Sequence, residues 1–169
     1  DMKHLDEEAE RIKFVYNNSW EKNWGFVPWT EEEMNHTVKK LKQLADPNIV
    51  ILAEDRGKPI GFAIGLPNYN EVLIRMNGRL TPLGIIKFLI YRRKIEGMRA
   101  IIFGVLREYR QTGISYLLYS ELEKNGIASG YKWCEMSWQL EDNEPINRFC
   151  ASIGGKIYKK YRIYEKKIS

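Results

Sequence analysis

Arg110-Gln111-Thr112-Gly113-Ile114-Ser115 lies between a predicted strand over residues 98–105 and a segment with helical apolar spacing. Such a junction is suited to an anion. At a helix start the first backbone N–H groups lack partners and point outward together, and the helix dipole adds partial positive charge. Gly113 lets the backbone approach a phosphate closely, Ser115 offers a hydroxyl, and Arg110 adds a permanent charge. The plainer alternative is an ordinary strand-to-helix turn, because a single glycine specifies little. The segment lacks the GKS or GKT ending of a P-loop, and its one glycine excludes the dinucleotide fingerprint.

Other reactive side chains are few. Glu135 and Ser137 share one face of a strand predicted over residues 131–140, and Glu141-Asp142 follow. Glu135 is a candidate proton acceptor; the alternative is a salt-bridged or solvent-facing carboxylate. Cys150 falls with Ile146, Phe149 and Ile153 on one helical face, which reads as an inert buried thiol. A nucleophilic role would need a base beside it, and the two histidines, His4 and His36, lie far upstream. Neither histidine has a Cys or His at ligand spacing, so no metal is expected. Trp20, Trp24, Phe26 and Trp29 crowd one loop, either packing together or stacking on a substrate.

The 169 residues suit one domain over 1–169, and a composition 44% hydrophobic and 29% charged is that of a globular chain. Two cysteines exclude a disulfide framework and a four-thiolate zinc site. The net charge of +5 is unevenly spread. Residues 1–35 hold nine acids against four bases; residues 75–110 hold nine bases against two acids. These runs are either solvated helix faces or a field that draws a phosphate-bearing ligand. Nucleic acid is not expected, since no recognition motif accompanies the charge. The longest apolar stretch, residues 83–91, is interrupted by Lys87 and too short to span a bilayer. No secretory signal opens the sequence, so a cytoplasmic chain without a membrane partner is expected.

Several elements must position these groups. Spacing predicts a first helix from Leu5 through Tyr16, weakened at Asn17-Asn18, and a second opened by a Thr30–Glu33 capping box and stopped by Asp46-Pro47. Strands over 48–54 and 59–66 flank a tight turn at 55–58. Residues 70–76 are a short helix or irregular, and Pro82 opens a helix to about residue 95 that Gly97 ends. After the strand at 98–105 comes a charged loop, then a helix from Gly113 with Ile114, Leu117, Leu118, Leu122 and Ala128 on one face. The strand at 131–140, a helix over 143–153 and a final strand or hairpin over 156–168 complete the order. Helices and strands without a regular βαβ repeat indicate an α+β fold with one mixed sheet.

Val105-Leu106-Arg107-Glu108-Tyr109-Arg110-Gln111-Thr112-Gly113-Ile114-Ser115, followed by Leu117-Leu118, resembles the acetyl-CoA-binding segment of the GNAT N-acetyltransferase superfamily. That pattern is a strand, then V-x-P-x-x-R/Q-x-x-G-x-G/A, then an amphipathic helix. Arg107 stands where proline is usual, and Ser115 replaces the last small residue. The order of elements agrees to residue 168, and the insertion at 67–97 is longer than usual. The resemblance implies a GNAT-like mixed central sheet flanked by helices. It further implies acetyl-CoA or another acyl-CoA held by Val105, Leu106, Arg107, Arg110, Gln111, Thr112, Gly113, Ile114 and Ser115.

The implied reaction is direct attack by a small-molecule amine, with a backbone N–H near Val105 or Leu106 polarising the thioester carbonyl. Asn143 would hydrogen-bond the pantetheine arm, or else cap its helix. Cys150 occupies the slot, four residues before Gly154, where many members place a tyrosine acid. Tyr158 then becomes the candidate acid and Glu135 the candidate base. The competing expectation is a catalytically silent acyl-CoA-binding or interaction domain. Members usually begin with a strand before the first helix, whereas here helical spacing begins almost at Asp1. The sequence is therefore expected to be the C-terminal part of a longer protein whose upstream segment supplies the missing strand or covers the sheet edge, with an upstream domain or a second copy as the expected protein partner.

Overall fold

Asp55-Arg56-Gly57-Lys58 turns the chain through two left-handed residues, Arg56 at φ 50° and Gly57 at φ 80°. This mirror-image turn matches the twist of paired strands, so β1 (Val50–Asp55) returns antiparallel as β2 (Lys58–Pro67). The computed structural model describes residues 4–19, 27–79 and 81–167. β3 (Gly97–Val105) pairs antiparallel with β2, and β4 (Trp133–Met136) pairs parallel with β3. The strand order is β1-β2-β3-β4, the mixed sheet expected of an α+β chain. The chain divides into two compact units, residues 1–137, which hold this sheet, and residues 138–169.

Alternation along β2 sorts the core. Ile60, Phe62 and Ile64 join Val15 of α1 (Leu5–Ser19) and Leu106 in one buried cluster. Ala63 joins Leu118 and Leu122 of α5 (Ile114–Ala128) in the other, with Ile49, Met98, Ala100 and Val105. The face toward α5 is small: Gly61, Ala63 and Gly65. A Cβ at Gly61 would meet Leu118 Cδ1 at 3.0 Å, so the missing side chain is what lets α5 lie close. α5 is also the crossover that makes the β3–β4 pair parallel.

The remaining elements follow local rules. α2 (Glu31–Leu44) opens with the expected capping box, Glu33 N donating to Thr30 Oγ1 at 3.3 Å and Thr30 N to Glu33 Oε2 at 3.1 Å. α1 continues past Asn17-Asn18 to Ser19; the Asn17 side chain accepts from Trp29 N at 3.0 Å. Trp29 stacks on Tyr16 with ring centroids 4.4 Å apart, so its ring packs; Trp20, Trp24 and Phe26 lie outside the described residues. Residues 70–76 resolve into the short helix α3 (Asn70–Arg75). α4 (Pro82–Tyr91) is shorter than expected, giving way to a 3-10 turn over Arg92–Lys94, and Gly97 begins β3 rather than ending a helix. In the second unit α6 (Glu144–Ser152) lies within the helix expected at 143–153.

Two strand expectations are also corrected: the strand expected over 131–140 is confined to Trp133–Met136, and the closing one is absent. Residues 156–167 form no strand, and all are exposed. Alternation supplies the side-chain half of a strand; without a neighbouring ladder the backbone half has no bonds to make.

Tyr131 ties the start of β4 to the end of α2: its hydroxyl donates to Asp46 Oδ2 at 3.0 Å, while Asp46 Oδ1 accepts from Asn48 N at 3.0 Å. Burial, and then the Asp46 charge, push the phenol above its ordinary value. A folded-state pKa above the unfolded one adds stability that is complete below about pH 10 and lost as pH rises further. We expect Tyr131→Phe to lower stability at neutral pH by about 1 kcal/mol. The variant should also lose stability less steeply than the wild type above about pH 10. Urea denaturation across that range checks both.

Candidate functional site

β3 and β4 part company at Ala100. Their last rung is Ser137 N–H to the Ala100 carbonyl at 2.9 Å, just beyond the Ala100–Met136 pair. On the other side the β2–β3 register slips between Ile64–Ile102 and Gly65–Ala100, leaving Ile101 without a partner on β2. A bulge of this kind bends a strand and sharpens its twist. From Ile101 to Val105, no strand among the described residues pairs with β3 on its β4 side.

The direction of the end of β3 follows from one bond. Leu106 N–H donates to Ile60 O at 2.9 Å, so Leu106 faces β2. Neighbouring residues of a strand direct their N–H and C=O groups to opposite edges, so Val105 faces the open side. The Val105 carbonyl there accepts from Arg110 Nε at 3.2 Å. Of the two amides considered for polarising a carbonyl, Leu106's is therefore engaged by the sheet and Val105's points outward.

The connecting loop is held at several points. Residues Arg107–Tyr109 form a 3-10 turn, and Tyr109 OH donates to Asp55 Oδ2 at 2.9 Å, reaching the β1–β2 turn. That hydrogen bond, above other causes, raises the Tyr109 pKa. Thr112 Oγ1 donates to Tyr109 O at 2.7 Å. Arg110 Nη2 donates to Ser19 O, so one guanidinium joins the end of β3 to the end of α1. Tyr109, Asp55 and Ser19 were not singled out by the sequence. Tyr109 sits inside the motif, and only its partner 54 residues away gives it a role.

Gly113 then caps α5 with φ 86°, the left-handed region where glycine carries no Cβ penalty. Tyr116 and Leu117 are the first to turn back, both onto Gly113 O at 3.0 and 3.1 Å. Among the described residues, no acceptor meets the N–H groups of Gly113, Ile114 and Ser115. A Cβ built on Gly113 finds nothing within 4 Å. Arg107, Gln111 and Thr112 are exposed around this opening. The arrangement can take an extended anionic group on the amides, with a carbonyl beside β3.

The proposed acid and base are less well served. Glu135 pairs with Arg99, its register neighbour on β3, at 3.2 Å. It is thus a paired strand carboxylate, and Arg99 Nε is buried without a hydrogen bond. In the second unit Tyr158 is exposed, with Lys159 Nζ 4.8 Å above its ring. Asn143 is the N-cap of α6, yet its side chain makes no capping bond; Asn147 Nδ2 donates instead to Leu140 O and Glu141 O at 3.0 and 3.2 Å. Cys150 Sγ accepts from Gln139 Nε2 at 3.0 Å, and burial pushes its thiol up, away from the nucleophilic thiolate.

With this geometry in place, comparisons with known proteins are informative. The profile of the Acetyltransferase (GNAT) family matches residues 12–154. A bacterial ceramide synthase of Caulobacter vibrioides is 34% identical over 98% of this chain and 45% of its own length. Protein YghO of Escherichia coli is 37% identical over 96% of this chain and 43% of its own. The chain thus spans less than half the length of both relatives. The aminoglycoside N-acetyltransferase AAC(6')-Iy, solved with the bisubstrate analogue CoA-S-monomethyl-acetylneamine, superposes with a TM-score of 0.63 at 15% identity. That likeness covers 98% of this chain and 93% of the other, and it carries the fold.

Arg110 is the residue whose loss should disturb this site's framework. Arg110→Ala should lower stability by about 1–3 kcal/mol, because two carbonyls lose their charged donor. Arg110→Lys should not restore it, since a single ammonium lacks the guanidinium's fork. Urea midpoints equal to wild type for both variants would contradict this role.

Proposed function

The chain belongs to the GNAT acetyltransferase family, and we propose that it transfers an acyl group from acyl-CoA to an amine by direct attack on the thioester. The observation carrying this reading is the left-handed Gly113 with free amides behind it, next to a strand edge that β4 has left. The residues fit the donor: the Gly113–Ser115 amides and the helix dipole suit a pyrophosphate, and the open space at Gly113 admits its approach. Arg107, Gln111 and Thr112 are exposed around it, while Arg110 acts by holding the loop. When bound, acyl-CoA supplies an activated carbonyl.

Val105 N–H is directed to the open edge, where it can donate to the thioester oxygen as negative charge develops there. The acceptor must lose a proton before attack, since an ammonium has no lone pair. The C–N bond forms as the C–S bond breaks, and a proton from the amine ends on the departing sulfur. Glu135, set in place by Arg99, is the carboxylate on the strand beside that edge and is assigned as proton acceptor through water. Tyr158 is assigned as donor on its sequence position. Asn143, whose side chain is not used for capping, is assigned to the pantetheine arm.

The acceptor is assigned as a small-molecule amine, in keeping with the aminoglycoside enzyme. The relative named a bacterial ceramide synthase is in keeping with acyl transfer to an amine, and donors of differing chain length belong in the panel. The Glu135–Arg99 pair favours a second reading, a member that binds acyl-CoA without turnover. Thiol release with an amine panel separates the two.

Gly113→Val should raise the CoA dissociation constant about tenfold or more, one charge-assisted hydrogen bond being worth about 1.5–3 kcal/mol. Gly113→Asn tolerates the left-handed backbone and controls for strain. Calorimetric values unchanged in a folded Gly113→Val protein would remove this site. Cys150→Ala should retain most of its turnover, with a stability cost of about 1 kcal/mol. An acyl-cysteine trapped on Cys150 by mass spectrometry would replace direct attack with a covalent route.

A further inference from the structure

α4 (Pro82–Tyr91) turns its aliphatic side toward solvent. Gly84 is buried, and Phe88 stacks on Tyr69 with ring centroids 5.8 Å apart, so the inward stripe follows residues 84, 88 and 91. That leaves Leu83, Ile85, Ile86, Leu89 and Ile90 outward, each between 50% and 72% exposed, with Lys87 among them. Neighbouring α3 adds exposed Leu73 and Ile74. Isolated exposed leucines are ordinary, but a contiguous aliphatic face marks a contact surface.

The charge around this face has one sign. Residues 72–95 hold six bases, Arg75, Arg79, Lys87, Arg92, Arg93 and Lys94, and no acid. All six are exposed. The acids at the margins are engaged: Glu71 accepts from Glu96 N and Gly97 N at 3.2 and 2.8 Å, and the Glu96 carboxylate pairs with Lys132. Aliphatic side chains flanked by bases without acids match a bilayer surface bearing anionic lipids. A protein interface core would favour aromatic and Met anchors and disfavour Lys, and nucleic acid would leave the five aliphatic side chains without a partner.

We propose that α4 docks this protein on the surface of an anionic phospholipid bilayer, its aliphatic face at the acyl-chain boundary and Arg79, Lys87, Arg92 and Arg93 among the phosphates. Ten residues make a helix of about 15 Å, long enough to lie in the interface and too short to cross it. Among the described residues no helix is long and apolar enough to cross a membrane. The sequence expectation of no membrane partner rested on that length, and length decides spanning, not docking. The inference is independent of the acyl-transfer reading, because it uses neither the α5 N-terminus nor the open edge of β3.

Co-sedimentation of the full-length protein with phosphatidylglycerol–phosphatidylcholine vesicles tests it, with phosphatidylcholine vesicles alongside. The wild type should pellet with the anionic vesicles and be released by salt. Ile86→Glu combined with Leu89→Glu should weaken partitioning by at least about tenfold. Arg92→Glu combined with Arg93→Glu should weaken it by about fivefold or more per charge. Circular dichroism confirms that each variant folds, and CoA affinity should not change in either. A wild-type protein that stays in the supernatant, or variants that pellet equally well, would overturn the proposal. So would a wild-type dimer in sedimentation equilibrium that the Ile86/Leu89 variant dissolves while neither protein binds vesicles, for the face would then belong to a second copy.

Discussion

Between Ala100 and Val105 the third strand is paired with β2 on one side and released by β4 on the other. A buried backbone group without a partner is expensive, so strands rarely separate inside a sheet without compensation. Here the β2 side absorbs the change: Ile101 is skipped, the strand bends, and the register resumes at Ile102. The Val105 carbonyl on the released edge is met by Arg110. A bend, a free amide and a held carbonyl thus arise at one place, and the loop to α5 starts from it.

The position of α5 depends in turn on what β2 lacks. Gly61, Ala63 and Gly65 present almost no side chain toward α5, while Ile60, Phe62 and Ile64 fill the opposite face under α1. The sheet is therefore thin on one side and thick on the other. Leu118 closely approaches the backbone at Gly61 and Leu122 packs in the same buried cluster, which fixes α5 against the sheet and so where its N-terminal amides emerge. The loop's remaining freedom is removed by Tyr109 on Asp55 and by Arg110 on Ser19. Amides held in this way need little rearrangement when an anion arrives, the condition under which electrostatic stabilisation is most effective.

The α3–α4 excursion obeys a different logic. Its inward contacts are a glycine, a stacked aromatic pair and a tyrosine under two cations, and its bulk aliphatics point away from the core. A helix selected only for stability would place Ile and Leu inward, where each buried methylene contributes about 0.8 kcal/mol. The reversal sets an exposed aliphatic face on the same unit as the loop to α5, and the bilayer proposal gives the basic middle of the sequence a physical use beyond solvation.

Much of the framework was legible from local chemistry. The left-handed hairpin turn, the Thr30–Glu33 box and the glycine opening α5 each act over a few residues, so their physics is complete within the segment that contains them. Four features were not legible, each for a physical reason. The bulge at Ile101 sits in a run of β-formers where no residue marks which one β2 will skip. Arg110 reads as a free cation until Ser19, 91 residues earlier, is brought beside it. Residues 156–167 alternate like a strand, but a strand exists only with a ladder partner. The outward face of α4 belongs with these: a helix apolar on nearly every side has no contrast to show which side the core takes. Sequence determined the elements and the chemistry at their ends, because those are short-range. Tertiary structure decided which edge stayed open, which charges were engaged and which apolar face met solvent, because those depend on what distant segments leave uncovered.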